Sequence, residues 1–226
     1  MTTSPVRASS RSRPGSPASR TSPELASVSP ADRLLASAVA LFAQHGYDAV
    51  STGQIAKDAG LTQSMVHYHF GSKEKLWKAA VERIMHVRGS VFPISFADLQ
   101  DLDPLAKLKV IVRRFILSNA ADPQLTRILI HEGMQPTPRL RWLAKRYMLR
   151  GYQAFDSVID EAMRAGVIRR MPVREVTNIL VGAGSLSFSL AALLREVYDY
   201  DVAEPDAVQM LSDTLVQVLF RGLEAA

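Results

Sequence analysis

His67 and His69 stand two positions apart in the stretch GLTQSMVHYHFGSKEKL, which runs from Gly60 to Leu76. Metal chelation is the first chemistry that such a pair suggests. On a helix, residues two apart point about 200° away from each other, whereas chelation from one helix needs spacings of three or four. The geometry therefore argues against a metal site. Nucleophilic catalysis finds no support either. The chain has no cysteine, His131-Glu132-Gly133 is not the zinc-protease pattern, and no Ser or Lys has a recognisable activating neighbour. What the stretch does offer is short or planar hydrogen-bonding groups, with no carboxylate between Ala59 and Ser72 and with Lys73 just beyond. Such a surface tolerates phosphate.

The charge distribution agrees. Residues 1–29 carry four arginines against Glu24 alone, and residues 30–90 carry seven Lys/Arg against five Asp/Glu. Residues 91–226 hold sixteen of each, so the positive excess lies in the first two-fifths of the chain. This pattern suits either a polyanion partner at that end or a solvated tail beside a slightly basic domain. No run approaches the roughly 20 apolar residues of a spanning helix. The arginine-bearing N-terminus lacks the apolar segment of a secretory signal. The expectation is a soluble cytoplasmic protein with no membrane partner, no cofactor and no metal.

Helices must position these groups. Met1 to about Leu25 is rich in Ser, Pro, Arg and Ala and is expected to be disordered. Ser29 as N-cap, Pro30 at the first helical position and Asp32 three after the cap predict a helix start, and Gly46 predicts its stop. Ser51 or Thr52 caps the next segment, with Gln54 placed for a capping box. Gly60-Leu61 makes a turn, Thr62 caps a third short helix and Ser72 a fourth, which breaks near Pro93. Downstream, Asp103-Pro104, Asp122-Pro123 and Thr137-Pro138 open helices, the last a long one ending at Gly166. Another apolar segment runs from Pro172 to about Tyr198, and Glu204-Pro205 opens the final helix. The alternation that strands require is missing, so the fold class is all-α.

Two short helices joined by a tight glycine turn are the pattern of a helix-turn-helix. At 100° per residue Val66 and Phe70 turn inward together, while Ser64 and Tyr68 project nearly opposite, flanked by Gln63 and His67. Gln63 can pair with an adenine edge and Ser64 with several bases. Both lie near the helix N-terminus, the part that usually enters the major groove. Lys73 is placed to meet a phosphate.

The segment RLLASAVALFAQHGYDAVSTGQIAKDAGLTQSMVHYHFGSKEKLWKAAVERI resembles the N-terminal domain of TetR-family transcriptional regulators. The resemblance covers about Pro30 to Val87. It implies a three-helix DNA-binding head over residues 29–89, after a tail over 1–28, joined to a ligand-binding and dimerisation bundle over 90–226. By register it implies DNA contacts by Thr62, Gln63, Ser64, His67, Tyr68 and Lys73, with Thr52 near a phosphate. The family commonly has Tyr where this chain has His67, which makes that phosphate contact weaker or pH-sensitive. The implied function is a homodimer on a palindromic operator, a repressor by family habit and not an enzyme, released by a small-molecule effector. The rival is a helical ligand-binding or enzymatic protein that keeps the head without reading DNA. The arginines Arg7, Arg11, Arg13 and Arg20 match no family motif.

The remainder resembles the family weakly. Gly182, Ser185, Ser189 and Ala192 form a small-residue strip, and Val208, Leu211, Leu215, Val218 and Leu219 an apolar stripe. Both serve either a dimer interface or the chain's own core. Phe115, His131, Met134, Trp142, Tyr147, Tyr152, Phe155 and Phe188 are candidates for an effector pocket or for core packing. Arg113 and Arg114, or Arg139 and Arg141, could meet an acidic ligand or solvent.

Overall fold

A computed structural model describes residues 28–91, 99 and 101–223. The arginine tail and the break expected near Pro93 fall outside these residues. Eleven α-helices and one π-helical turn account for the regular structure, and no strand occurs among the described residues.

The first four helices are α1 (Pro30–Ala49), α2 (Thr52–Asp58), α3 (Gln63–Phe70) and α4 (Lys73–Val91). Ser29 caps α1 by accepting from the Asp32 amide, and Pro30 occupies its first turn. Gly46, at φ 76°, breaks the helical path as its position predicted, although a further turn follows it to Ala49. Ser51, not Thr52, caps α2 through a reciprocal box with Gln54. The turn into α3 is a Schellman motif. Gly60 adopts φ +65° while its N–H reaches Lys57 O, and the Leu61 N–H reaches Ala56 O. Ser72 caps α4 through the Lys75 amide.

The body comprises α5 (Pro104–Ala121), α6 (Gln124–Gly133), α7 (Pro138–Leu143), the π-turn (Ala144–Met148), α8 (Leu149–Arg164), α9 (Val173–Ser189), α10 (Ala191–Tyr198) and α11 (Pro205–Leu223). Two expected single helices are therefore interrupted. The long one opened by Thr137 contains the π-turn. The apolar segment after Pro172 bends by 69° at Leu190. Ser185 and Ser189 donate back to Val181 O and Ser185 O just before that bend, a pattern that loosens helical geometry. No single described helix is long and apolar enough to cross a membrane.

Two apolar cores result. One joins α5, α8, α9 and α11 around Leu108, Ile111, Ile116, Ile159, Leu180 and Phe220. The other gathers Leu34, Phe42, Ile55, Val66, Leu76 and Trp77 from α1 to α4, and also takes in Leu125, Ile128 and Leu143 from α6 and α7. The head is thus not sealed off at residue 89. It shares its core with the body, and α1 packs against α6 as well as α4. At the crossing, the His131 ring lies so close to Gly46 that a Cβ there would sit 3.1 Å from Nδ1. Gly46 needs its positive φ and its missing side chain for the same contact.

Candidate nucleic-acid interface

Helix α3 is fixed from below. Val66 is fully buried and Phe70 packs partly against the same core, so the opposite edge faces solvent. Thr62, Gln63, Ser64 and His67 are exposed, and Tyr68 is 80% exposed. Apart from its edge contact with the His69 ring, Tyr68 is left to solvent, which suits a surface that meets a partner. The α2–α3 angle is held from α1. Ser37 donates to the Asp58 carboxylate at 2.6 Å, and Arg33 donates to Ala59 O at the turn.

Three side chains on this edge are pre-positioned. Gln63 Nε2 donates to Thr52 Oγ1 at 3.0 Å, which lays the amide across the start of α2. One Nε2 hydrogen and Oε1 remain, the donor–acceptor pair that an adenine major-groove edge requires. Thr62 occupies the N-cap position of α3 with extended backbone, but its hydroxyl meets Ser64 Oγ at 2.9 Å instead of capping. The first-turn amides of α3 therefore have no side-chain cap. His67 Nδ1 donates to Gly71 O at 3.2 Å, so Nε2 points outward and becomes a donor only when the ring is protonated.

Beside this edge lies a shallow concavity lined by Asp48, Ser51, Thr52, His67, Ser72 and Lys73, among others. Lys73 is half-buried, and its Nζ rests 4.2 Å from the Tyr47 ring centroid. Burial lowers the Lys73 pKa, and the Asp48 carboxylate opposes that shift. Arg139, from α7, stacks on the same ring with Cζ 3.7 Å from the centroid, so Tyr47 joins Lys73 to the body. Burial is also the main reason the Tyr47 phenol is raised, and the Arg139 charge works against it.

His69 takes no part in the exposed edge. It is half-buried between the Tyr68 and Phe70 rings, and its Nε2 has no hydrogen-bond partner. Among the described residues no group of three His, Cys, Asp or Glu side chains could hold a metal.

Residues 34–80 match the family model for bacterial regulatory proteins of the tetR family. Residues 104–219, about half the chain, match that of a tetracycline repressor-like C-terminal domain. The chain belongs to the TetR family. It is a DNA-binding transcriptional regulator, as the sequence resemblance implied. Among relatives of this TetR-family chain, the nucleoid occlusion factor SlmA of Aliivibrio fischeri is 25% identical over 174 residues, 76% of this chain and 86% of that protein. Among solved structures, a tetR-family regulatory protein from Rhodococcus RHA1 superposes with a TM-score of 0.69 at 17% identity, covering 88% of this chain and all of the other. AibR, solved in complex with isovaleryl coenzyme A and operator DNA, superposes with a TM-score of 0.65 at 18% identity, covering 85% of this chain and 98% of its own.

The pocket candidates separate. Phe115, Tyr147, Tyr152 and Phe155 line one cavity of about 460 Å³ between α4, α5, α6, α8 and α9. The other four lie elsewhere. His131 packs on Gly46, Trp142 on Trp77 and Tyr147, Phe188 is sealed in the body core, and Met134 is 70% exposed. Arg113 pairs with Asp213 on α11 and Arg139 with Glu132, so neither faces the cavity as a spare charge. The cationic residue that does line it is Arg88, which the sequence reading did not single out although it stands four residues after Ile84 on the inward side of α4.

The interface candidates also divide. Val208 and Ser185 are buried, and Leu211, Leu215 and Leu219 pack against the body core of their own chain. Gly182, Ala192 and Val218 are exposed, and Ser189 is intermediate. Apolar residues that face outward on these helices include Ile179 and Leu186 on α9, Leu193 and Val197 on α10, and Met210 and Val218 on α11. The glycine that admits a close helix is Gly184, where a Cβ would meet Phe115 of α5 at 3.0 Å; at Gly182 it would meet nothing.

Proposed function

We propose that the chain is a homodimeric repressor that works in the cytoplasm, that the Thr62–Tyr68 edge of α3 reads each half of a palindromic operator, and that Thr52, His67 and Lys73 meet the flanking phosphates. The carrying observation is the exposed, carboxylate-free edge with Gln63 tethered to Thr52. The outward apolar residues from Ile179 to Val218 would join the two copies, and the Arg88-lined cavity would take the effector that releases DNA. The AibR complex, with a coenzyme A thioester and operator DNA on one protein of this fold, supports that division of labour. Residues 29–89 would act as the DNA-reading unit and 90–226 as the sensing and pairing unit, coupled through their shared core. His67 contributes a charged phosphate contact only as an imidazolium, unlike a tyrosine hydroxyl.

Binding to DNA flanking the gene, measured at several salt concentrations, tests the reading. A sequence preference above a steep salt-dependent background is expected, and Lys73→Ala should reduce the slope of log K against log salt by about one. Equal affinity for every duplex rejects it. Gln63→Ala should cost about 1–3 kcal/mol and relax base preference at one operator position. Thr52→Val should loosen preference at that same position, because the tether to Gln63 is lost. An unchanged preference profile in both variants would mean that α3 lies differently on the groove.

A further inference from the structure

The cavity of about 460 Å³ has walls that are mostly apolar, with Phe115 and Phe155 meeting edge to face at 5.4 Å. Besides Ser118 and the Tyr147 and Tyr152 hydroxyls, three neutral polar side chains line it, and each donates a hydrogen bond within the chain. Thr126 donates to Asn119 Oδ1, Asn119 donates to Phe115 O, and Ser185 donates to Val181 O. Arg88 differs from them. It enters from α4, half-buried, and burial pulls its pKa down although a guanidinium stays charged in any protein. Its bonds go to neutral oxygens: Nη1 to Ser118 O at 3.1 Å and Asp122 O at 2.8 Å, and Nη2 to Asn119 Oδ1 at 3.4 Å. No carboxylate forms an ion pair with it among the described residues. The nearby Asp122 carboxylate is turned to the Gln124 amide.

A guanidinium has five N–H donors in a planar fork that matches a carboxylate, and charge-assisted bonds are about twice as strong as neutral ones. The cavity therefore presents an apolar body with one cationic corner. We infer that its ligand is an amphiphilic monoanion, with a carboxylate at Arg88 and an uncharged hydrocarbon or aryl body against Phe115, Tyr152 and Phe155. This rests on the reading of the cavity as the effector site. Arg88 also ties α4 to the carbonyl end of α5, and that structural role alone would confer no preference for acids.

The test uses straight-chain and phenyl-terminated carboxylates of about eight to twelve carbons, a size suited to a cavity of this class. The matched alcohols and amines serve as comparisons, and binding to the full chain is followed by thermal shift and calorimetry. Acids should raise the melting temperature and bind at least about tenfold more tightly than their alcohols. In Arg88→Gln the acid-to-alcohol ratio should fall to about one while alcohol affinity is kept, and Arg88→Lys should retain part of the preference. If Arg88→Gln does not fold, the comparison on the unaltered protein still decides. The inference is overturned if no acid binds, if alcohols or amines bind as well as acids, or if Arg88→Gln keeps the acid preference. Operator binding is read in the same samples. Acids that bind selectively yet leave the DNA complex intact would support the ligand class and remove the release mechanism.

Discussion

Leu186→Asp is expected to yield a folded monomer that has lost specific operator binding. Leu186 is 48% exposed on α9, with Ile179 at 55% on the same helix and Val218 at 65% on α11. Single exposed apolar residues are ordinary, but six of them on the three consecutive helices α9, α10 and α11 suit a contact surface. In a two-fold dimer the same patch meets itself, so one substitution places two carboxylates into one desolvated interface. Each head alone reads few base pairs. Monomer binding should therefore fall from the specific range toward the non-specific one, a loss of about a thousandfold or more. Sedimentation and far-ultraviolet circular dichroism check the two halves of the claim. A variant that still sediments as a dimer would move the interface off these residues. Leu215→Asp makes the contrast, because Leu215 packs against the chain's own body core and a charge there should damage the monomer.

That contrast shows where sequence reasoning stops. The stripe Val208, Leu211, Leu215, Leu219 is genuine helical periodicity, but periodicity reports an apolar face without saying which partner covers it. Only the packing of α11 on α5 and α9 shows that this face is spent internally, leaving Met210 and Val218 outside. The eight pocket candidates separate for the same reason. Trp142 and Phe155 lie on one continuous helical run, yet one completes the head's core and the other lines the cavity. Local chemistry was more legible. The caps at Ser29, Ser51, Ser72 and Asp103 fall where the sequence places them, since a cap depends on residues within three positions. Thr62 departs because Ser64, two residues on, competes for its hydroxyl. The π-turn and the bend at Leu190 have no local breaker such as proline, and Arg88 resembles any solvated arginine until α5 and α6 close over it.

Arg139→Met is expected to destabilise the protein by about 3–5 kcal/mol, because it strands a buried carboxylate. Glu132 is only 4% exposed at the end of α6. It accepts from Thr137 Oγ1 at 2.9 Å and from Arg139 Nε at 3.0 Å, and Arg139 is the only cation that pairs with it among the described residues. Exposed pairs are worth a fraction of this, so the nearby Arg139–Asp48 contact at 3.7 Å, with Asp48 largely in solvent, adds little. For a chain of this size the loss corresponds to a fall of about 10 °C in melting temperature. Replacing both partners, Glu132→Leu with Arg139→Met, should recover most of it, since a buried pair exchanged for apolar side chains is often neutral. The double variant also separates stability from communication. Arg139 and Lys73 share the Tyr47 ring, so removing Arg139 unlinks a body helix from the lysine proposed to meet phosphate. A doubly substituted protein with restored melting temperature should still bind DNA, but its release by effector should weaken. If Arg139→Met costs less than about 1 kcal/mol, Glu132 does not depend on that cation. If the double variant responds fully to effector, coupling between body and head runs through the shared apolar core around Trp77 and not through Tyr47.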